Sequence, residues 1–256
     1  MKSSVIFNRD AWNEQVRQGN KWTVPVNSEV IEKAREGKWD VVLTPTKAVP
    51  REWFPKAPAS VLCLASGGGQ QGPVLAAAGY DVTVFDLSSE QLAQDNKVAE
   101  ENGLSIRLMN GDMNDLSSLY GENFDLVFNP CSLVFIEDPK PVFSEVAKVL
   151  RKGGRFMTGF SNPVNWLFDY RKSLQGTYRL KYSQPYSDEA SLEKDVLEEL
   201  DRENEPRVYG HSLTALFGGQ LKAGLVIRDM FEDTADKGDK LNDHYPGFIA
   251  TLAIKD

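Results

Sequence analysis

The sequence predicts the α/β class: a doubly wound, seven-stranded, mostly parallel sheet that ends in a C-terminal antiparallel hairpin. Three observations lead there. Between residues 60 and 160, short apolar runs alternate with helical patterns, the order that places helices on both faces of a parallel sheet. The runs are near-continuously apolar, as at 126–128, which suits strands covered on both sides. The last two runs, 225–231 and 248–254, are joined by a loop rich in Asp, Lys and Gly with no helical pattern between them, so they should pair antiparallel.

Each element has its own signal along the chain. Residues 1–58 form an N-terminal cap or extension, with tryptophans at 12, 22, 39 and 53 expected to pack on the core. Within it Ser28 can cap a short helix that carries Val30, Ile31 and Ala34 on one side, and a four-proline stretch over 43–60 reads as an extended, wrapping segment. The first strand is 61–65. It runs into Ser66, Gly67, Gly68, Gly69, Gln70, Gln71, Gly72 and Pro73, then a small-residue helix ending near Gly79, then a second strand over 82–85 that ends on Asp86. Ser88 and Gln91 have capping-box spacing for a helix that Gly103 stops. A third strand, 105–109, leads into Asn110-Gly111-Asp112-Met113, and the fourth lies in FDLVFNP. Asp138-Pro139 opens a helix with Val142, Phe143, Val146, Val149 and Leu150 on one face, closed by Arg151 and Lys152 and ended by Gly153-Gly154. The fifth strand is 155–160. The alternation breaks at Ser161: residues 161–210 read as an α+β insertion with tyrosines at 170, 178, 182, 186 and 209, short strands at 178–183 and 206–210, and an acidic helix carrying Leu192, Val196, Leu197 and Leu200. An insertion of that length points to function, here a substrate lid. Residues 59–160 and 211–256 make the core of what is a single domain overall.

Composition narrows the function classes. At 41% hydrophobic and 26% charged residues, the 256-residue chain has the makings of a full core. It holds no apolar run of membrane-spanning length, and its N-terminus lacks the look of a secretion signal. Cys63 and Cys131 suggest neither a disulfide nor a metal framework, so the expectation is a cytoplasmic protein without metal. The formal net charge of −8 disfavours a nucleic-acid partner.

Strand, glycine turn, helix, strand, acid is a unit that binds a nucleoside cofactor. Glycines let the backbone approach a ligand, a helix start offers free N–H groups, and Asp86 stands where a carboxylate accepts hydrogen bonds from a ribose diol. Gly67-x-Gly69-x-x-Gly72 with Asp86 downstream fits a dinucleotide. The same layout serves S-adenosylmethionine (SAM).

The wider set of motifs resembles the class I, Rossmann-like SAM-dependent methyltransferases over residues 60–256. ASGGGQQG looks like their glycine motif; Asp86 matches the ribose-binding acid; Asp112-Met113 match the pair beside the adenine; FDLVFNP and LRKGGRF match the segments around the fourth and fifth strands; the final hairpin matches the family's C-terminus. GNKWTVPV and LTPTKAVPREWFP look like an N-terminal extension of a bacterial subset. A dinucleotide dehydrogenase has no need of that full set. The sequence departs from the Asp/Asn-Pro-Pro-Tyr/Phe motif of amino-group methyltransferases, having Asn129-Pro130-Cys131-Ser132, so that substrate class does not carry over.

The resemblance implies methyl transfer from SAM, with S-adenosylhomocysteine as product and a small-molecule acceptor. It places Ala65, Ser66, Gly67, Gly69 and Gln70 on the methionine end, Asp86 on the ribose with Leu87 and Gln91 alongside, Asp112 and Met113 on the adenine, and Asn129, Pro130 and Cys131 along the sulfonium. No catalytic group is assigned; His211 and Asn129 are the candidates. Asn20, Trp22, Phe135, Phe168, Tyr178, Tyr182 and His211 are the candidate acceptor contacts. The competing functions are an NAD(P)-dependent oxidoreductase and a non-catalytic SAM-binding module.

Overall fold

A computed structural model describes residues 4–234 and 240–256. Two helices, α1 (Ser4–Arg17) and α2 (Ser28–Arg35), precede β1 (Ser60–Leu64). Then come α3 (Gln71–Ala77), β2 (Asp81–Asp86), α4 (Ser89–Asn102), β3 (Ile106–Asn110), β4 (Phe124–Asn129), α5 (Lys140–Val149) and β5 (Leu150–Ser161). The insertion holds α6 (Tyr170–Leu174), β6 (Tyr186–Ser187), α7 (Asp188–Ser191), α8 (Lys194–Arg202) and β7 (Tyr209–Gly210). The chain closes with α9 (Leu213–Lys222), β8 (Leu225–Asp233) and β9 (Phe248–Lys255). The main sheet has seven strands in the order β3-β2-β1-β4-β5-β9-β8, and β6 and β7 form a separate two-stranded sheet. Pairing is parallel from β3 to β5, and β9 is antiparallel to both neighbours.

Strand periodicity divides the core. Val61, Cys63, Val82, Val84, Leu126 and Phe128 face one side, with Ile31 of α2, Val74 and Leu75 of α3, and Leu92 and Val98 of α4. Leu62, Leu64, Phe85, Val127 and Phe156 face the other, with Val142, Phe143 and Val146 of α5 and Leu216 of α9. The central strands β1 and β4 are therefore covered on both faces, the reason their sequences are so apolar, while the edge strands β3 and β8 carry exposed and charged residues.

Four local expectations are corrected. Asn27, not Ser28, caps α2, its side chain accepting the Val30 N–H at 3.1 Å. Helix α5 stops at Val149, because Leu150 already pairs with Phe124; Arg151, Lys152, Gly153 and Gly154 lie in β5, and Arg151 meets Asp125 at 2.6 Å rather than a helix end. No strand forms over 178–183, where one bridge, Phe168 to Leu180, is the ladder's whole extent. The strand expected over 206–210 is cut to Tyr209–Gly210, which pairs with Tyr186–Ser187. The expected loop between β8 and β9 falls in part on 235–239, outside the described residues.

Helix α1 is an element that hydrophobic spacing does not announce. Its buried side chains are Asn8, Ala11 and Gln15, a helical stripe that is mostly polar. Asn8 Nδ2 donates to the carbonyls of Phe135 (2.9 Å) and Arg207 (3.0 Å), and its Oδ1 accepts the Arg207 N–H at 2.8 Å. Gln15 donates to the Asn204 carbonyl at 3.2 Å. The Asn13 amide oxygen accepts the Ser88 hydroxyl at 2.7 Å. Hydrogen bonds, in place of apolar area, tie α1 to the insertion and to the start of α4.

Two close approaches set the site's frame. Asp95 of α4 is fully buried, and one of its oxygens accepts the Gly68 N–H at 2.9 Å. Burial pushes its carboxyl up to about 8, against the pull of the glycine N–H groups, and the nearby Asp86 charge adds to the rise. At β5, a Cβ on Gly159 would lie 2.0 Å from the Leu43 carbonyl oxygen.

Both contacts have measurable consequences. Because the folded-state Asp95 holds its proton more tightly than an unfolded aspartate, its contribution to stability is present near pH 4 and is lost as pH rises toward about 8. Thermal melts of Asp95→Asn against wild type should therefore move in the variant's favour, by several degrees, between pH 5 and pH 8; a difference independent of pH would contradict this. Gly159→Ala should lower the melting temperature at any pH, costing about 1–3 kcal/mol, since the obstacle is backbone and not a movable side chain.

Candidate active site

The sheet order reverses between β1 and β4, and the carboxyl ends of parallel strands at such a point form a crevice. A cavity of about 300 Å³ lies there. The turn after β1, the ends of β2 and β4, and the loop after β3 line one part of it. Helix α1, the 42–45 segment, the short turn Leu133–Phe135 after β4, and the paired ends of β5 and β9 line the remainder.

The glycine turn is held from below by two carboxylates. Asp86 Oδ2 accepts the Gly67 N–H and Oδ1 accepts the Ser88 N–H, both at 2.9 Å. Asp95, as described, takes the N–H of Gly68. Burial raises the Asp86 carboxyl above the usual range, while its N–H partners lower it. A Cβ on Gly67 would come within 2.7 Å of the Gln91 Cβ and 3.1 Å of Asp86 Oδ2. Only glycine permits this approach. The capping box closes on one side only: Ser88 Oγ accepts the Gln91 N–H at 3.1 Å, but the Ser88 N–H is taken by Asp86. The Gln91 side chain is thereby released to the cavity.

Among the described residues, three buried polar atoms of cavity-lining side chains, Thr44 Oγ1, Ser66 Oγ and Gln91 Oε1, have no hydrogen-bond partner, and the last two lie at the glycine turn and the start of α4. A buried polar atom left unpaired costs about 1–3 kcal/mol. Together with the carboxylate of Asp86 and the cradle at Gly67, these atoms suit a ligand rich in donors and acceptors, and the residues present fit an adenosyl cofactor. Asp112 adds a further carboxylate to the lining, whose Oδ1 is engaged by the backbone N–H and side-chain amide of Asn114, each at 2.9 Å.

Most of the residues singled out in the sequence converge on this cavity. Ala65, Ser66, Gly67, Gln70, Asp86, Leu87, Gln91, Asp112, Met113, Pro130 and Cys131 all line it, as do Trp22 and Phe135. Gly69 does not. A Cβ there would face Pro25 and the Gln94 carbonyl, and the Gly69 carbonyl accepts the Val26 N–H at 2.9 Å. Asn129 lies behind the wall, fully buried, donating to the Leu64 carbonyl and Ser132 Oγ at 2.8 Å and accepting the Thr158 hydroxyl at 2.9 Å. With every polar atom so engaged, it pins the ends of β1, β4 and β5 together.

Several candidate acceptor contacts also lie elsewhere. Asn20 caps the short turn Lys21–Thr23 and donates to Gln15. Phe168 and Tyr178 pack edge-on at 5.7 Å, and Tyr182 packs against Tyr186 at 5.4 Å, in the insertion's own small core. His211 is buried behind the Leu133–Phe135 turn, with Nε2 2.9 Å from the Leu133 carbonyl. Burial lowers its affinity for a proton, so it is neutral at neutral pH. The residues that sequence reasoning missed include Val5, Asn8 and Trp12 of α1, the 42–45 segment, Val134 and Phe248. Trp12 packs edge-on against Phe135 at 5.1 Å, and tryptophan at that position was the one available signal.

The chain also has relatives. A family model described as a methyltransferase domain matches residues 62–158. A Bacillus subtilis protein named as an uncharacterized methyltransferase, YbaJ, is 44% identical over 256 residues, covering 100% of each chain. A SAM-dependent methyltransferase structure from Mesorhizobium loti aligns with a TM-score of 0.58 at 17% identity, over 80% of this chain and 95% of that one. A putative SAM-dependent methyltransferase from Listeria monocytogenes aligns with a TM-score of 0.62 at 16% identity, over 80% of this chain and 94% of that one. Those two likenesses speak for the fold, and the full-length identity speaks for kinship. The chain belongs to the class I SAM-dependent methyltransferases, and SAM is its cofactor.

Proposed function

We propose that the cavity is one continuous site for cofactor and acceptor, and that this enzyme methylates a small molecule bound beneath α1. The observation that carries this is the cavity's two-part chemistry: carboxylates and unpaired polar atoms around the glycine turn, and apolar walls under Trp12 and Phe135. Asp86 would accept the ribose hydroxyls with the lone pairs that Gly67 and Ser88 leave free. Asp112 would accept the adenine amine through Oδ2, with Met113 against the ring. Ser66, Gly67 and Gln70 would bind the methionine end, and the backbone of Pro130 and Cys131 would flank the reacting centre.

Bound SAM supplies a methyl group on a sulfonium, which a nucleophile displaces in line. The chain's own part is to orient the two partners and exclude water. Trp12, Phe135 and Trp22 enclose the acceptor, and Asn8 holds the Phe135 carbonyl so that this wall stays in place. Burial raises the Cys131 thiol, so it stays protonated and serves as wall rather than nucleophile. The insertion supports α1 through Arg207 and Asn204 instead of covering the acceptor. Two free cysteines, Cys63 and Cys131, accord with a cytoplasmic setting.

Titration calorimetry with S-adenosylhomocysteine tests the cofactor placement, with NAD and NADP alongside. Wild type should bind the adenosyl ligand alone. Asp86→Ala should weaken it roughly 100-fold or more, the scale of two hydrogen bonds to a charged group. Gly67→Ala should weaken it at least about 10-fold, because the added methyl would collide with Gln91 Cβ and the Asp86 carboxylate and push both out of place. Binding of a dinucleotide in place of the adenosyl ligand, or undiminished binding by a folded Asp86→Ala protein, would refute the placement.

A further inference from the structure

The acceptor half of the cavity, which is defined by the cofactor placement proposed above and depends on it, has a chemistry of its own. Its walls are Val5, Trp12, Leu43, Val134, Phe135 and Phe248. Among the described residues, the cavity is lined by no lysine, arginine, histidine or tyrosine, and its carboxylates, Asp86 and Asp112, lie at the end of β2 and just past β3. Thr44 adds an unpartnered hydroxyl to the lining, which is neither a charge nor a base, and two further polar groups nearby are already engaged. Asn8 uses its amide on Phe135 and Arg207, and Ser132 Oγ accepts from Asn129 and lies 3.9 Å from Met113 Sδ. The imidazole of His211 faces the Leu133 carbonyl and is not part of the lining.

These walls discriminate among nucleophiles. A carboxylate or phosphate acceptor would shed its water and meet no cation. An alcohol or phenol would need a base that the lining does not offer. An alkylamine enters neutral solution as an ammonium ion, and the carboxylates that could steady it belong to the cofactor end. A thiol binds uncharged, so it needs no cation to enter and no strong base to ionise. Its pKa of about 8.5 leaves a few per cent thiolate at neutral pH without help, and its sulfur is strongly nucleophilic.

We propose that the acceptor is a small apolar thiol, methylated on sulfur with no base supplied by the protein. The thiol gives its proton to water. Its sulfur then forms a bond to the methyl carbon as the carbon–sulfonium bond breaks, and that electron pair stays on the cofactor's sulfur, which leaves as a neutral thioether. The Trp12–Phe135 pair, 5.1 Å apart and edge-on, forms the apolar face against which the thiol's body packs.

The test uses four matched probes: benzyl mercaptan, 4-(mercaptomethyl)benzoate, benzyl alcohol and benzylamine. Binding to the S-adenosylhomocysteine-loaded protein is followed by calorimetry, and methylation in the presence of SAM by product mass. Benzyl mercaptan should bind at least 10-fold more tightly than its carboxylated analogue and should be the probe that is methylated. Trp12→Ala should weaken its binding about 10-fold, and Val5→Lys should narrow or reverse the preference over the carboxylate. The pH–rate profile should break at the acceptor's own pKa, moving to lower pH for a more acidic thiol. A break that stays put for two thiols would reveal a protein base and overturn the proposal. So would faster turnover of the amine or alcohol, or a loaded protein that binds no thiol. Failure to bind S-adenosylhomocysteine at all would overturn the cofactor placement, and this proposal with it.

Discussion

Two buried carboxylates clamp the backbone of one turn, and the site depends on that clamp. Asp86 takes the N–H of Gly67, and Asp95 takes the N–H of Gly68. The turn's amides find their partners outside the turn, one at the end of β2 and one on α4. Ionising a carboxyl in an apolar surround is costly, and burial raises both groups accordingly, Asp95 up to about 8. The backbone N–H groups offset part of that cost. What results is a rigid loop whose outer face presents Ser66, Gly67 and Gln91.

The second half of the site is built by a different kind of force. Helix α1 buries Asn8, Ala11 and Gln15, and so gains little from apolar area. It is placed by directional hydrogen bonds to Phe135, Arg207, Asn204 and Ser88. Ser88 also donates its N–H to Asp86. The roof over the cavity, the insertion and the clamp on the glycine turn are thus joined through a short run of polar contacts. The insertion's aromatic residues face one another, Trp166 stacking on Tyr186 at 5.5 Å, because a segment of its size needs a core of its own before it can brace anything else.

The candidate site was legible where chemistry and chain order coincide. The glycine turn, Asp86, and the Asp112-Met113 pair come from consecutive turns at strand ends, and a parallel sheet brings those ends together whatever the rest of the molecule does. Asn129 and Gly69 share that neighbourhood, yet their side faces point into the scaffold, Asn129 to three strands and Gly69 to Pro25. Position along a strand places a residue near a site; only packing decides which way it faces. Asp95 was illegible for the related reason that a carboxylate in the buried stripe of α4 reads as an ordinary surface charge until the loop above it is in view.

The sequence by itself determined the strand and helix alternation, the parallel order implied by it, the closing hairpin and the glycine turn. Those rest on local periodicity and on short connections, which each segment carries within itself. The tertiary structure alone decided that α1 roofs the cavity, that Leu43 and Phe248 form its walls, and that the insertion's tyrosines stay outside it. Those outcomes rest on hydrogen bonds between residues as far apart as Asn8 and Arg207, and no local pattern encodes a partner 199 residues away.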